Sequence, residues 1–185
     1  MPPQPASPNE APPPRAVSVH SLVEFVLQAG DITPGGFQRR DRAQAGTQGH
    51  RQVQRHRSEG YQAEVEISYQ IPDADPPLEV RGRIDGLYPD LNPVVIEEIK
   101  TTTLSLALVD EEHNPLHWAQ AQCYAYLYAR QQNLSAASIR LTYYHLDSKQ
   151  EKTFERHWTL VELERFFYSL VTPYLAWFRK ISALQ

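Results

Sequence analysis

The spacing of apolar residues divides the chain into helical and strand-like segments. Val19, Leu22 and Val23 recur at the three- and four-residue spacing of one helix face, and Gly30 stands where such a helix would end. A second helix is expected over about residues 44–57, where two glycines lower the helix propensity. Two helices are therefore expected before the first strand-like run.

Three runs containing β-branched residues follow, and they predict strands at 61–70, 78–87 and 94–101. The turn at 89–93 contains two prolines, so the second and third strands are expected to form a hairpin. Residues 117–131 combine strong helix formers with apolar residues nearly all round, which is typical of a buried helix.

The rest of the chain predicts two more strands, at 138–146 and 153–158, and a closing amphipathic helix over 160–180. Pro173 lies inside that helix and is expected to kink it. Helices and strands in this order are typical of an α/β sandwich, in which helices pack on the faces of a mixed sheet.

Composition adds limits on the class of protein. The first 16 residues hold seven of the fifteen prolines, so we expect a disordered proline-rich tail over 1–16 and one domain over 17–185. No stretch approaches the roughly 18 apolar residues of a membrane span, and no signal peptide is visible, so we expect a cytoplasmic protein without membrane contact. No Walker-type sequence occurs, so no use of ATP is expected.

The third predicted strand ends in charge. It reads VVIEEIKTT from Val94, so an apolar start is followed by two glutamates and a lysine. Glu98 and Lys100 are two residues apart and project to the same face of the strand, whereas Glu97 points to the opposite face. Asp85 ends the preceding strand of the predicted hairpin and is therefore expected near Glu98.

Two carboxylates close together repel each other, and a divalent cation removes that repulsion. Asp85 and Glu98 are therefore candidate ligands of Mg²⁺ or Mn²⁺. Lys100 beside them is a candidate for stabilising the charge that develops during phosphoryl transfer. Each residue also has a structural alternative, because Asp before Gly is common in turns and a strand-end Glu and Lys often form a surface ion pair.

A basic segment lies upstream in a chain whose net charge is −4. Residues 39–57 contain six arginines and one acidic residue, and arginines beside a metal site would attract a polyanion. The alternative is a solvated helix face. The candidate DNA-binding residues are Arg39, Arg40, Arg42, Arg51, Arg55 and, on the strand leading to Asp85, Arg81 and Arg83.

Four segments, in this order, resemble the PD-(D/E)XK nuclease superfamily and specifically its RecB-like exonuclease branch. They are G-x-x-x-H from Gly46 to His50, GRIDG around Asp85, EEIKT around Glu98, and Q-x-x-x-Y from Gln120 to Tyr124. The resemblance implies a restriction-endonuclease-like core, with a mixed central β-sheet flanked by helices.

The resemblance also implies a metal site. His50, Asp85 and Glu98 would ligate the ion, with the main-chain carbonyl of Ile99 as a further ligand, and a histidine ligand slightly favours Mn²⁺ over Mg²⁺. The alternative for His50 is a histidine on a helix surface. Several relatives carry four cysteines for an iron–sulfur cluster, whereas Cys123 stands alone here and is expected in the core, so no cluster is expected.

Three further residues receive roles from the resemblance. Lys100 would be the catalytic lysine, acting with the two carboxylates of the metal site. Gln120 and Tyr124 lie one helical turn apart and would position lysine, water or DNA. Their alternative is packing within a helix rich in aromatic residues.

The implied activity is a metal-dependent deoxyribonuclease, an exonuclease that acts on single-stranded DNA or DNA ends independently of sequence, in repair or recombination. The segments SLVEFVLQAGD and HWAQAQCYAYL are also similar to the N-terminal nuclease module of DinG/XPD-like bacterial helicases, which implies a helicase partner. Two alternatives stay open. The domain could bind DNA or a helicase without cutting, or it could be a nuclease directed at RNA.

Overall fold

The computed structural model describes residues 15–27 and 39–184, and for residues 39–45 it describes the backbone alone. Its main elements are β1 (Arg15–Ser18), α1 (Val19–Leu27), α2 (Arg39–Arg55), β2 (Gln62–Gln70), β3 (Leu78–Tyr88), β4 (Val95–Thr102), α3 (Pro115–Gln131), β5 (Ala136–His145), β6 (Glu151–Thr159) and α4 (Leu160–Ser182). The expected tail lies outside these residues except for Arg15 and Ala16, which begin β1. The expected stop at Gly30 also lies outside them.

The predicted helices and strands are confirmed, with one additional strand and one difference at the start of a helix. The additional strand is β1, which precedes the first helix and pairs with β3, Val17 opposite Val80. The Ser18 hydroxyl accepts a hydrogen bond from the Ser21 amide at 3.0 Å, which caps the start of α1. α2 begins at Arg39, well before the expected start near residue 44.

The six described strands form one mixed sheet in which β3 has three partners. β2 pairs with β3 in antiparallel orientation along nearly its whole length. β1 and β4 therefore share the other edge, where β1 pairs in parallel with residues 78–81 and β4 pairs antiparallel with residues 86–88. Within the described chain, residues 82–85 of β3 thus lack a strand partner on that edge.

The predicted hairpin of β3 and β4 is confirmed, and the sheet continues beyond it. β5 pairs with β4 in parallel, and β6 pairs with β5 in antiparallel orientation. Helix α3 supplies the crossover between the two parallel strands, as a parallel connection requires.

The main apolar core lies between the sheet and the helices α1, α3 and α4. It includes fully buried side chains such as Leu22, Ile84 and Phe167, each of which contributes about 1.5–3 kcal/mol on burial. The predicted burial of α3 is confirmed, since Cys123 and most of its neighbours are buried. α4 runs through Pro173 as one helix. None of the described helices is long and apolar enough to cross a membrane.

A second, smaller apolar cluster lies under α2 and consists of Val53, Ile99 and Tyr144. Ile99 therefore faces α2, whereas its neighbour Lys100 contacts α3 on the opposite face of the sheet. Gly49 allows this close packing, because a Cβ at that position would lie 2.5 Å from Cγ2 of Thr101. The glycine that weakens the helix prediction is the one that lets α2 approach β4.

Candidate metal centre

The unpaired stretch of β3 is where the charged side chains meet. The ladder between β3 and β4 ends at the pair Gly86 and Glu97, so the next pair, Asp85 and Glu98, lies where the two strands separate. Tyr124 lies over this stretch, with its ring and hydroxyl against Gly82. A Cβ at Gly82 would lie 2.7 Å from the Tyr124 ring, so glycine makes room for the tyrosine.

Asp85 is fixed by contacts to two elements. Its Oδ2 accepts a hydrogen bond of 2.8 Å from the Ile99 amide, and its Oδ1 lies 3.4 Å from Nδ1 of His50. Its main-chain carbonyl accepts a hydrogen bond of 2.9 Å from the Gln54 side-chain amide. One carboxylate oxygen is thereby held by the sheet, and the other faces the histidine of α2.

Glu64 of β2 completes a tight group with His50 and Asp85, and sequence reasoning missed it. One ligand atom from each of the three side chains lies within 4.8 Å of the others. The β2–β3 register pairs Ala63 with Gly86 and Val65 with Ile84, so Glu64 stands opposite Asp85. The position of Glu64 depends on the register of β2 against β3, which the periodicity of either strand alone does not reveal.

Glu98 and Lys100 lie on one face of β4, as their spacing predicted. Oε1 of Glu98 is 3.1 Å from Nζ of Lys100, and Lys100 donates a hydrogen bond of 2.6 Å to Oε1 of Gln120. Oε2 of Glu98 is buried and has no hydrogen-bond partner among the described residues. Burial and the charge of Asp85 raise the pKa of Glu98 to about 7.

The charge of His50 depends on the same carboxylates. Burial lowers its pKa, but the hydrogen bond to Asp85 and the charges of Asp85 and Glu98 outweigh this, so the net pKa of His50 lies above its ordinary value. The neighbouring carboxylates thus favour a proton on His50. A cation that replaced this proton would relieve the repulsion between those carboxylates.

Glu97 lies on the opposite side of the strand, as the spacing predicted. Its carboxylate is fully buried and accepts two hydrogen bonds from Arg57, at 3.0 and 2.7 Å, and one each from Tyr61 and Thr142, both at 2.7 Å. Gly86 makes room for Tyr61, whose hydroxyl would overlap any Cβ there. Arg57, one of the six arginines of the basic segment, is therefore part of a buried ion pair.

The other arginines of the sequence analysis lie in different places. Arg51 and Arg83 line a cleft of about 640 Å³ together with His50, Glu64 and Asp85. Arg81 lines a neighbouring groove and pairs with Glu79 at 3.0 Å. Arg55 is exposed in the last turn of α2 and, among the described residues, is not part of the cleft lining. The side chains of Arg39, Arg40 and Arg42 lie outside the described residues.

These residues fit a divalent cation. One imidazole nitrogen and carboxylate oxygens are ligands that suit Mg²⁺ and Mn²⁺. The unpartnered, buried Oε2 of Glu98 is a second sign, because a buried carboxylate oxygen is costly unless something binds it. Glu98 lies outside the tight group of His50, Glu64 and Asp85, and Lys100 holds its other oxygen.

A mixed sheet flanked by helices, with these groups at the gap between two strands, defines a restriction-endonuclease-like fold. The chain belongs to the PD-(D/E)XK nuclease superfamily, whose family model matches residues 10–179. This membership implies a nuclease-type hydrolase that uses a divalent metal.

The structure is also similar to the crystal structure of SSO0001, with a TM-score of 0.54 and 17% sequence identity. The match covers 88% of this chain and 78% of that chain. At this identity the likeness shows the fold alone. A comparison with curated proteins found no match.

Proposed function

We propose that the protein is a metal-dependent deoxyribonuclease that degrades single-stranded DNA or DNA ends. The observation that carries the proposal is the meeting of His50, Glu64 and Asp85 within 4.8 Å, beside the Glu98–Lys100 pair. His50, Glu64 and Asp85 would hold the ion, with Glu98 and the Ile99 carbonyl as further ligands. The bound ion supplies an activated water and neutralises charge on the phosphate.

Lys100 is held in place from two sides. Glu98 accepts at 3.1 Å and Gln120 at 2.6 Å, so its ammonium group is fixed close to the carboxylates. Preorganised positive charge of this kind stabilises the added negative charge of a phosphoryl transition state. Tyr124 lines the cleft with His50 and Asp85 and would position the water or the nucleic acid.

The cleft also supports binding of the DNA backbone. Arg51 and Arg83 lie in its wall, and Arg81 follows in the neighbouring groove. Guanidinium groups pair with phosphates without reading bases, so binding is independent of sequence and weakens steeply as salt increases. The RecB-like motifs and the similarity to the nuclease module of DinG/XPD-like helicases support a role with a helicase in repair or recombination.

The test is cleavage of end-labelled single-stranded DNA with Mg²⁺ or Mn²⁺. Lys100→Ala and Asp85→Ala should each lose at least about 10²-fold in rate, because each removes preorganised charge from the reacting centre. The matched controls Lys180→Ala and Asp147→Ala remove the same groups from exposed positions and should cleave like wild type.

The substrates separate the remaining possibilities. An exonuclease degrades linear strands and leaves covalently closed circular strands intact. Cleavage of RNA in preference to DNA would point to the RNA-directed alternative. Wild type that binds single-stranded DNA but cuts it with neither metal would contradict the proposal and favour a non-cleaving binding module.

A further inference from the structure

A chain of hydrogen bonds links Lys100 to the surface of α1. Lys100 donates to Oε1 of Gln120 at 2.6 Å, and Nε2 of Gln120 lies 2.7 Å from Nδ1 of His20. Nε2 of His20 in turn lies 2.9 Å from a carboxylate oxygen of Glu24, one helical turn further along α1. These hydrogen bonds therefore connect α1 to α3, and α3 to the lysine of β4.

The chemistry of the donors fixes the direction of every bond. An ammonium group can only donate, so the Gln120 atom facing Lys100 must be its carbonyl oxygen. The amide nitrogen of Gln120 then faces His20 and can only donate, so Nδ1 of His20 must be an acceptor. Neutral His20 consequently carries its proton on Nε2, and this N–H donates a hydrogen bond to the Glu24 carboxylate.

We infer that His20 is a positioning residue for Lys100, acting through Gln120. By accepting from the Gln120 amide, His20 holds the nitrogen end of that side chain, so that the carbonyl oxygen stays at hydrogen-bond distance from the ammonium group. The inference rests on the proposed function, because it gives His20 a role in orienting the lysine of that site. Glu24 supports it by holding His20 in the required tautomer.

The exposure of the His20 side chain distinguishes a positioning role from a role in packing the core. The His20 side chain is 61% exposed, so it contributes little to the apolar core, whereas Gln120 is 5% exposed. Removing the ring would leave a donor of Gln120 without a partner inside the protein, and the Gln120 side chain would then be held at its carbonyl end alone. The expected consequence is a misplaced Lys100 in a protein that still folds.

The first experiment needs no nuclease activity. The side-chain amide protons of Gln120, assigned by their loss in Gln120→Leu, should exchange slowly in wild type and in His20→Asn, whose Oδ1 stands in for Nδ1. They should exchange fast in His20→Leu and in His20→Gln, whose carbonyl oxygen is one bond further out. Equal protection in wild type and His20→Leu, with the backbone spectrum unchanged, would overturn the inference.

The second experiment measures steady-state cleavage of single-stranded DNA. His20→Leu should lose about tenfold in kcat with KM changed less than about twofold, since one net hydrogen bond of about 1.4 kcal/mol corresponds to that factor. His20→Asn should recover most of the loss, and adding His20→Leu to Gln120→Leu should cost almost nothing more. A similar loss in the Leu and Asn variants, or additive losses in the double variant, would count against positioning. If wild type does not cleave, the proposed function fails and amide exchange still decides the role of His20.

Discussion

At the scale of single residues, Glu64 has an unusual backbone. Its φ is 56°, a left-handed value that few residues other than glycine adopt and that costs on the order of 1–3 kcal/mol. This conformation falls opposite Asp85, where the β2–β3 pairing is interrupted. Its carboxylate lies 2.9 Å from Nε of Arg83 and accepts at 2.9 Å from Gln54, so two partners hold this exposed side chain at the cleft.

Glu64→Gln should weaken the binding of Mn²⁺ by roughly 10- to 100-fold, because an anionic ligand is replaced by a neutral amide of the same shape. The measurement is isothermal titration with Mn²⁺. Glu66→Gln is the matched control, since Glu66 follows two residues later on the same strand and lines the other groove. Equal affinities in Glu64→Gln and Glu66→Gln would show that Glu64 is not a ligand.

Glu98 should make the metal-free protein sensitive to pH. Its folded pKa of about 7 lies above the ordinary 4.5, so the folded state holds the proton more tightly than the unfolded state does. Stability from this group is fully present below about pH 4.5, falls as pH rises through about 7, and is constant above. Relative to Glu98→Gln, wild type should lose roughly 2–3 kcal/mol between about pH 5 and pH 8.5.

The measurement for Glu98 is urea unfolding of both proteins in the presence of a chelator. The difference between the two free energies of unfolding removes the titrating groups that do not interact with Glu98 and keeps Glu98 with its coupled neighbours. A difference that stays constant across this pH range would contradict the raised pKa.

At the scale of elements, the two glycines of α2 should respond with opposite signs. Gly49→Ala places a methyl group 2.5 Å from Cγ2 of Thr101 and 3.2 Å from the Tyr144 ring, so it should push α2 away and destabilise the protein. Gly46→Ala meets Thr101 at an ordinary 3.7 Å and should stabilise the helix by about 0.5–1 kcal/mol.

Thermal unfolding of the two glycine variants provides the measurement, and Mn²⁺ titration adds a second readout. Gly49→Ala should also weaken metal binding, because His50 is the next residue of the helix that moves. Similar stabilisation by both alanines would show that helix propensity outweighs the contact with β4.

The sequence predicted elements well where one physical signal dominates. The period-two alternation of β4 separated Glu97 from Glu98, and the structure places the first with Arg57 and the second with Lys100. β1 was not predicted because a strand of four residues that continues directly into a helix is too short to show the alternation of apolar and polar residues. The start of α2 was missed because its polar first half shows no apolar spacing.

At the scale of the whole molecule, the Glu97 network ties several elements together. Arg57 follows α2 and contacts both Glu97 of β4 and Glu151 of β6, at 2.7 and 3.0 Å. Tyr61 precedes β2, and Thr142 belongs to β5. A charge with no exposed surface is tolerated here because four hydrogen bonds satisfy it.

Arg57→Met should destabilise the protein by about 3–5 kcal/mol, because it leaves the buried Glu97 carboxylate without its cation. Arg81→Met is the matched control: Arg81 is exposed and pairs with Glu79, so its loss should cost about 1 kcal/mol or less. Denaturant unfolding measures both. If the two variants cost the same, the Glu97 network does not anchor the fold.

Some residues of the candidate site can be identified from the sequence pattern, and others depend on contacts between distant parts of the chain. Asp85, Glu98 and Lys100 could be chosen from one predicted hairpin, because strand spacing fixes which side chains share a face. Glu64 and His20 could not, because their places depend on the register of β2 and on the packing of α1 against α3. Such contacts join distant parts of the chain, and local periodicity carries no information about them.

The bond between the Ile99 amide and Asp85 also provides a spectroscopic reporter. In most of the sheet an amide donates to a main-chain carbonyl, but this one donates to a side-chain carboxylate whose other oxygen faces His50. A diamagnetic ion such as Mg²⁺ bound at Asp85 would withdraw electron density from that acceptor, so the Ile99 amide proton should shift upfield in a two-dimensional NMR titration with Mg²⁺. One backbone resonance, buried and far from solvent exchange, would then follow occupancy of the cleft without a substrate.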